Sequence, residues 1–187
     1  MIVKIKNEEN ALKRVERIWQ QVFTSTDPYE KLFPEAFNDV IVFHETDGPV
    51  LREDQFFAVR KAMEDISEDV FYFSVTEGGN CFASVENPGY FDNLNWLCHN
   101  PSYEECEQLI VPLESSIYST KGTWGIMISQ DFFGVIGGNK KFIDALKNRY
   151  SLWESDLKDF YDFWHEEKWY SGLDPRLLKS IEKAKLR

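Results

Sequence analysis

Residues 115–150, SSIYSTKGTWGIMISQDFFGVIGGNKKFIDALKNRY, decide the fold. The apolar, β-branched run that ends at Ser119 reads as the end of a strand spanning Leu109–Ser119. Lys121-Gly122 turns it into Trp124–Ser129, and Gln130-Asp131 turns again into Phe132–Ile136. Three short strands joined by tight turns predict an antiparallel meander over 109–136. The period then changes. Gly137-Gly138-Asn139 reads as a turn, Asn139 stands at the N-cap position, and Phe142, Ile143, Leu146 and Tyr150 recur at helical spacing. Packing of Trp124, Phe132 and Phe133 into a core accounts for the aromatics of this stretch.

Working outward, Ala11, Leu12, Val15, Ile18, Trp19, Val22 and Phe23 recur at three and four among Lys13, Arg14, Glu16 and Arg17, which predicts an amphipathic helix from Glu8 to Phe23. Asp39–His44 is a β-branched strand run closed by Thr46-Asp47-Gly48-Pro49. A second helix follows an N-cap at Asp54 with Phe56, Phe57, Val59, Ala62, Met63 and Ile66. Val70–Thr76 reads as a strand that turns at Glu77-Gly78-Gly79-Asn80 and returns over Cys81–Ser84. Residues 85–108 have no clear period, apart from the capping-box pair Ser102 and Glu105. Ser151 and Glu154 open another helix with Trp153, Leu157, Phe160, Tyr161 and Trp164 on its apolar stripe. Asp174-Pro175 starts a last one. The expected fold is α+β: an antiparallel sheet packed with amphipathic helices in one domain over 1–187, with 151–187 as a helical C-terminal extension.

The 187 residues include 43% hydrophobic and 16% aromatic residues, enough large apolar surface to exclude a disordered chain. The N-terminal residues MIVKIKNEENALK lack a signal-peptide pattern, and no apolar run approaches membrane-spanning length, so a cytoplasmic location is expected. Three cysteines at 81, 98 and 106 without CxxC spacing fit reduced, packed thiols.

The net charge is −11. With +2 on residues 1–20 and +4 on 176–187, the body from 21 to 175 holds −17. Such a body repels phosphate backbones and attracts basic proteins. Nucleic acid and anionic membrane are therefore not expected as partners except through the basic tail, and a basic protein is.

Two candidate sites arise. Asp156, Asp159, Asp162 and Glu166 recur along one side of the helix after Ser151, with Trp169 and Tyr170 beyond them; this acidic row with aromatic anchors is the candidate partner face, although a solvated helix face has the same pattern. Gly137, Gly138, Asn139 and Lys140 form a strand–glycine–helix passage of the kind that holds anions, but the spacing matches neither GxxxxGK[ST] nor GxGxxG. His44 with Glu45 and Asp47, and His165 with Asp162 and Glu166, lack the offsets of a metal site, and His165-Glu166-Glu167 is not HExxH. No metal or cofactor is expected, and no catalytic set is assigned.

In size, acidity, thiol usage, aromatic content and the strand-rich passage SIYSTKGTWGIMISQDFFGVIGGNKKFI, the chain resembles bacterial immunity proteins that neutralise polymorphic or contact-dependent toxins. The resemblance implies a cytoplasmic, non-enzymatic inhibitor whose acidic surface occludes the active cleft of a basic toxin. The alternatives are a small enzyme or ligand-binding protein with an anion site at Gly137-Gly138, and a structural or regulatory adaptor.

Overall fold

The computed structural model describes residues 1–6, 8–37, 39–76, 94–109, 113–166 and 174–185. In chain order its elements are β1 (Ile2–Lys4), α1 (Glu9–Val22), β2 (Asp39–His44), α2 (Glu53–Asp65), β3 (Val70–Val75), β4 (Asn95–His99), α3 (Tyr103–Glu107), β5 (Ser115–Ser119), β6 (Trp124–Ile128), β7 (Phe133–Gly138), α4 (Lys140–Arg149), α5 (Trp153–Glu166) and α6 (Pro175–Lys185). The strands form one sheet in the order β1-β4-β3-β5-β6-β7-β2, and every neighbouring pair is antiparallel. The fold is thus α+β with a helical C-terminal region, and the β5-β6-β7 meander lies at its centre.

Helices cover both faces of the sheet, which explains why its strands are apolar in continuous runs rather than in alternation. In β2, Val40 and Val42 point to a layer containing α1, α5 and α6, whereas Ile41 and Phe43 point to α2 and α4. In β6, Trp124, Ile126 and Ile128 face the α2 and α4 layer, and Met127 faces the other. Trp124 stacks on Phe142 of α4 with centroids 4.5 Å apart and planes 9° from parallel.

The glycines of the meander do more than turn. Gly125 and Gly137 are strand residues whose missing side chains admit aromatics from the covering layer: a Cβ on Gly125 would lie 2.6 Å from the Phe23 ring, and one on Gly137 2.5 Å from that of Phe33. The expected turn at Gly137-Gly138 is therefore corrected. Both residues belong to β7, paired with Val40 and Asp39 of β2.

Other boundaries move for identifiable reasons. Of the strand expected over Leu109–Ser119, Ser115–Ser119 is β5, whereas Leu109 closes α3 by donating its N–H to Cys106 O, and residues 110–112 lie outside the described residues. The second helix starts at Glu53, not after Asp54, because Gln55 Oε1 accepts from Arg52 N at 3.0 Å and makes Arg52 the cap residue. α5 opens with Asp156 N donating to Leu152 O, so Leu152 rather than Ser151 occupies its cap position. Within the stretch that shows no clear period, Asn95–His99 is a strand and pairs with β3 and β1. The return strand expected at Cys81–Ser84 lies outside the described residues. The capping box at Ser102 and Glu105 is formed, with Glu105 N donating to Ser102 Oγ at 3.2 Å and Ser102 N to Glu105 Oε2 at 2.9 Å.

Candidate functional site

The chain crosses from one face of the sheet to the other at the end of β2. α4 is capped at its C-terminus by Tyr150, whose ring meets Phe43 edge-on at 4.9 Å in the α2 and α4 layer. α5 begins three residues later and buries Leu157, Phe160 and Trp164 in the opposite layer. Trp153 touches both layers, and Lys147 Nζ sits 4.4 Å above its ring. The crossing wraps an edge strand, and an edge strand has backbone groups that need partners.

Asp156 supplies one. Its Oδ2 accepts from the backbone N–H of His44 at 3.0 Å and from the Tyr150 hydroxyl at 2.7 Å. The Tyr150 oxygen in turn accepts from Arg52 Nη2 at 3.1 Å, while Arg52 Nη1 donates to Glu45 O at 2.6 Å and Nε donates to Asp54 Oδ1 at 3.2 Å. Gln55 Nε2 also reaches Glu45 O, at 3.2 Å. Burial pushes the Asp156 carboxyl up against the lowering effect of these donors, raises the Tyr150 hydroxyl, and lowers His44.

This network takes Asp156 off the acidic row. At 4% exposure it is a buried carboxylate that ties α5 to β2 and to Tyr150. Its sequence position allows this, because at about 100° per residue it lies only about 40° from Phe160 on the helix wheel. Asp159 and Asp162 remain exposed, with Asp159 accepting from Ser155 Oγ at 3.3 Å and Asp162 from Lys158 Nζ at 2.6 Å. Glu166 is the last residue of α5; its side chain, and Trp169 and Tyr170, lie outside the described residues.

The aromatic on this face that the apolar stripe does not single out is Phe163. It is 48% exposed, stands between the Asp159 and Asp162 positions and Trp164, and packs its ring against His44 at 5.7 Å. The helical wheel contains that signal: at about 100° per residue Phe163 falls about 100° from Trp164 and outside the apolar stripe. Phe132 corrects a second expectation. Expected in the core, it is 58% exposed at the β6–β7 turn, beside the fully buried Phe133.

The Gly137, Gly138, Asn139 and Lys140 passage is filled by the protein itself. Phe33 occupies the space over Gly137, Trp124 and Phe142 that over Gly138, Asn139 Oδ1 accepts from Phe142 N at 2.9 Å, and Lys140 Nζ is held by Asp144 at 2.8 Å. Among the described residues no group of three or more His, Cys, Asp or Glu side chains is placed to hold a metal ion, and no helix is long and apolar enough to cross a membrane. Cys98 and Cys106 are buried thiols, and burial raises both, Cys106 to about 12.

Fold and face together define a three-layer protein with an antiparallel central sheet and an exposed acidic and aromatic helix laid over its β2 edge. Compared with known proteins, the chain matches no family model, no curated protein and no solved structure.

Proposed function

We propose that this chain is a non-enzymatic protein-binding inhibitor that docks on a basic partner through the exposed face of α5. In the form implied by the immunity-protein resemblance, the partner is a toxin whose active cleft is covered. The observation that carries the reading is Phe163: a half-exposed aromatic on a helix whose neighbouring exposed positions are Asp159 and Asp162. Aromatics in such positions anchor interfaces, and surrounding charge sets encounter rate and register. The net charge of −11 favours a cationic partner over the whole approach. The alternative anion site at Gly137-Gly138 receives less support, since packing within the chain accounts for its glycines and its lysine.

The test immobilises the full chain and an Asp159→Lys/Asp162→Lys double variant as baits for lysate of the source cell. A basic protein is expected to be retained by the wild type at about 50 mM salt, released at about 500 mM, where screening is much shorter in range, and not retained by the variant. Equal retention by both baits sinks the reading.

A further inference from the structure

We propose that Phe132, at the tip of the β6–β7 turn, is a second aromatic anchor of the docking face, which extends from α5 across the end of β2 and fits a folded basic protein with apolar recesses among its cationic side chains. The inference rests on the reading that α5 receives a basic partner.

Two features of Phe132 are unfavourable in the free chain. Its backbone has φ of +64°, in the left-handed region that Gly or Asn enters readily and a bulky residue does not. Its ring is 58% exposed, although the next residue, Phe133, is completely buried. The turn holds this conformation in place. Ser129 N donates to Phe133 O at 2.9 Å, Asp131 N to Ser129 Oγ at 3.2 Å, and Thr46 N to Phe132 O at 2.9 Å. Strained residues that their surroundings hold in place cluster at functional sites, ligand clamps among them.

Its position links it to Phe163. The last bond fastens the turn to Thr46, and two residues earlier His44 packs its ring on Phe163. The short segment from His44 to Thr46 therefore lies between the two exposed aromatics. Carboxylates flank them: Glu45 on that segment and Asp47 just beyond it, Asp131 on the turn, where it also accepts from the Tyr29 hydroxyl, and Asp159 and Asp162 on α5, all exposed except the half-buried Asp131. Lys158 of α5 bonds to Asp162, and Arg52, beyond the segment, bonds to Asp54. Two aromatics within an acidic rim are complementary to a basic surface and repel a second copy of the same face.

The experiment places a photo-crosslinking phenylalanine analogue at 132, at 163, and at the exposed Phe57 of α2 as a control, in the full chain expressed in its source cell. Positions 132 and 163 are expected to trap the same basic protein, and position 57 not to trap it. With that protein purified, Phe132→Asn, which keeps the turn while relieving its strain, is expected to weaken binding roughly thirtyfold, the loss of one interface anchor. Its thermal midpoint is expected to equal or exceed that of the wild type, a readout that a structural role would move the other way. Trapping from 163 alone, wild-type affinity of Phe132→Asn, or a fall in its thermal midpoint overturns the inference and leaves the α5 reading standing. Trapping from neither position, of an acidic protein, or of a second copy of this chain overturns both.

Discussion

The hydroxyl of Tyr150 and the backbone N–H of His44 donate to the same carboxylate oxygen of Asp156, at 2.7 and 3.0 Å, so one atom joins the end of α4, the start of α5 and the end of β2. The crossing between the two helical layers depends on that junction. The helix that carries Asp159, Asp162 and Phe163 is positioned by it.

Removing the acceptor leaves two donors without their partner. Asp156→Ala is expected to lower stability by about 2–3 kcal/mol, read as a shift in the urea midpoint at constant slope. Asp156→Asn should behave differently, because its amide can turn the oxygen to both donors and place the NH₂ at the Oδ1 position, which accepts no hydrogen bond from the described residues. Burial raises the Asp156 carboxyl above its unfolded value. Its contribution to stability is therefore fully present below the unfolded pKa and is lost as pH rises through the folded one. Asn does not titrate, so the thermal midpoint of Asp156→Asn relative to wild type is expected to increase between about pH 4 and pH 7. A pH-independent difference would contradict the assignment.

Periodicity makes α1, β2 and the β5-β6-β7 meander legible from residues alone, because each carries an apolar stripe or continuous run whose spacing is set within the element itself, whatever it packs against. Sheet order is not legible. β3 lies between β4 and β5, and β2 joins β7 across nearly a hundred residues, pairings that no local pattern encodes. At the face on α5, charge spacing locates Asp159 and Asp162 but groups Asp156 with them, since the partners that bury it come from positions 44 and 150. Phe132 reads as core with Phe133 because adjacent aromatics in a strand run look alike until the turn decides which one faces water.

Glu68 offers a contrast to Asp156. It is 7% exposed and accepts from Ser119 Oγ at 2.8 Å, Trp124 Nε1 at 3.1 Å and Thr123 Oγ1 at 3.1 Å, with Lys121 Nζ at 3.8 Å. Both oxygens are used. The two hydroxyls can turn to accept, but each oxygen also faces a group that can donate but not accept, Trp124 Nε1 at Oε2 and Lys121 Nζ at Oε1. Glu68→Gln must turn an NH₂ toward one of them, and is expected to cost about 1–3 kcal/mol where Asp156→Asn costs little. Tryptophan fluorescence and the urea midpoint of the two amide variants, measured side by side, check the difference; equal effects would mean that counting acceptors does not explain either site.

The close approaches in the meander predict which glycines tolerate a methyl group. A Cβ on Gly125 would collide with Val22 Cγ1 and one on Gly137 would stand 2.5 Å from the Phe33 ring, both against side chains packed in the layer of α1, α5 and α6. Neither Phe23 nor Phe33 can retreat without displacing its own neighbours, Phe23 lying 5.5 Å from Phe33 and 5.1 Å from Trp19. Gly125→Ala and Gly137→Ala are each expected to lower stability by about 1–3 kcal/mol through overpacking. Gly48 is the control. Its φ is +59° and nothing lies within 4 Å of the point where a methyl group would stand, so Gly48→Ala meets only the conformational penalty, about 1–2 kcal/mol. Because Val22, Phe23 and Phe33 pack in the same buried cluster, the Gly125→Ala and Gly137→Ala effects should be non-additive when combined, whereas Gly48→Ala should add independently to either. Thermal midpoints of the single and paired variants decide it: additivity of Gly125→Ala with Gly137→Ala would show that the two approaches do not share one rigid aromatic layer.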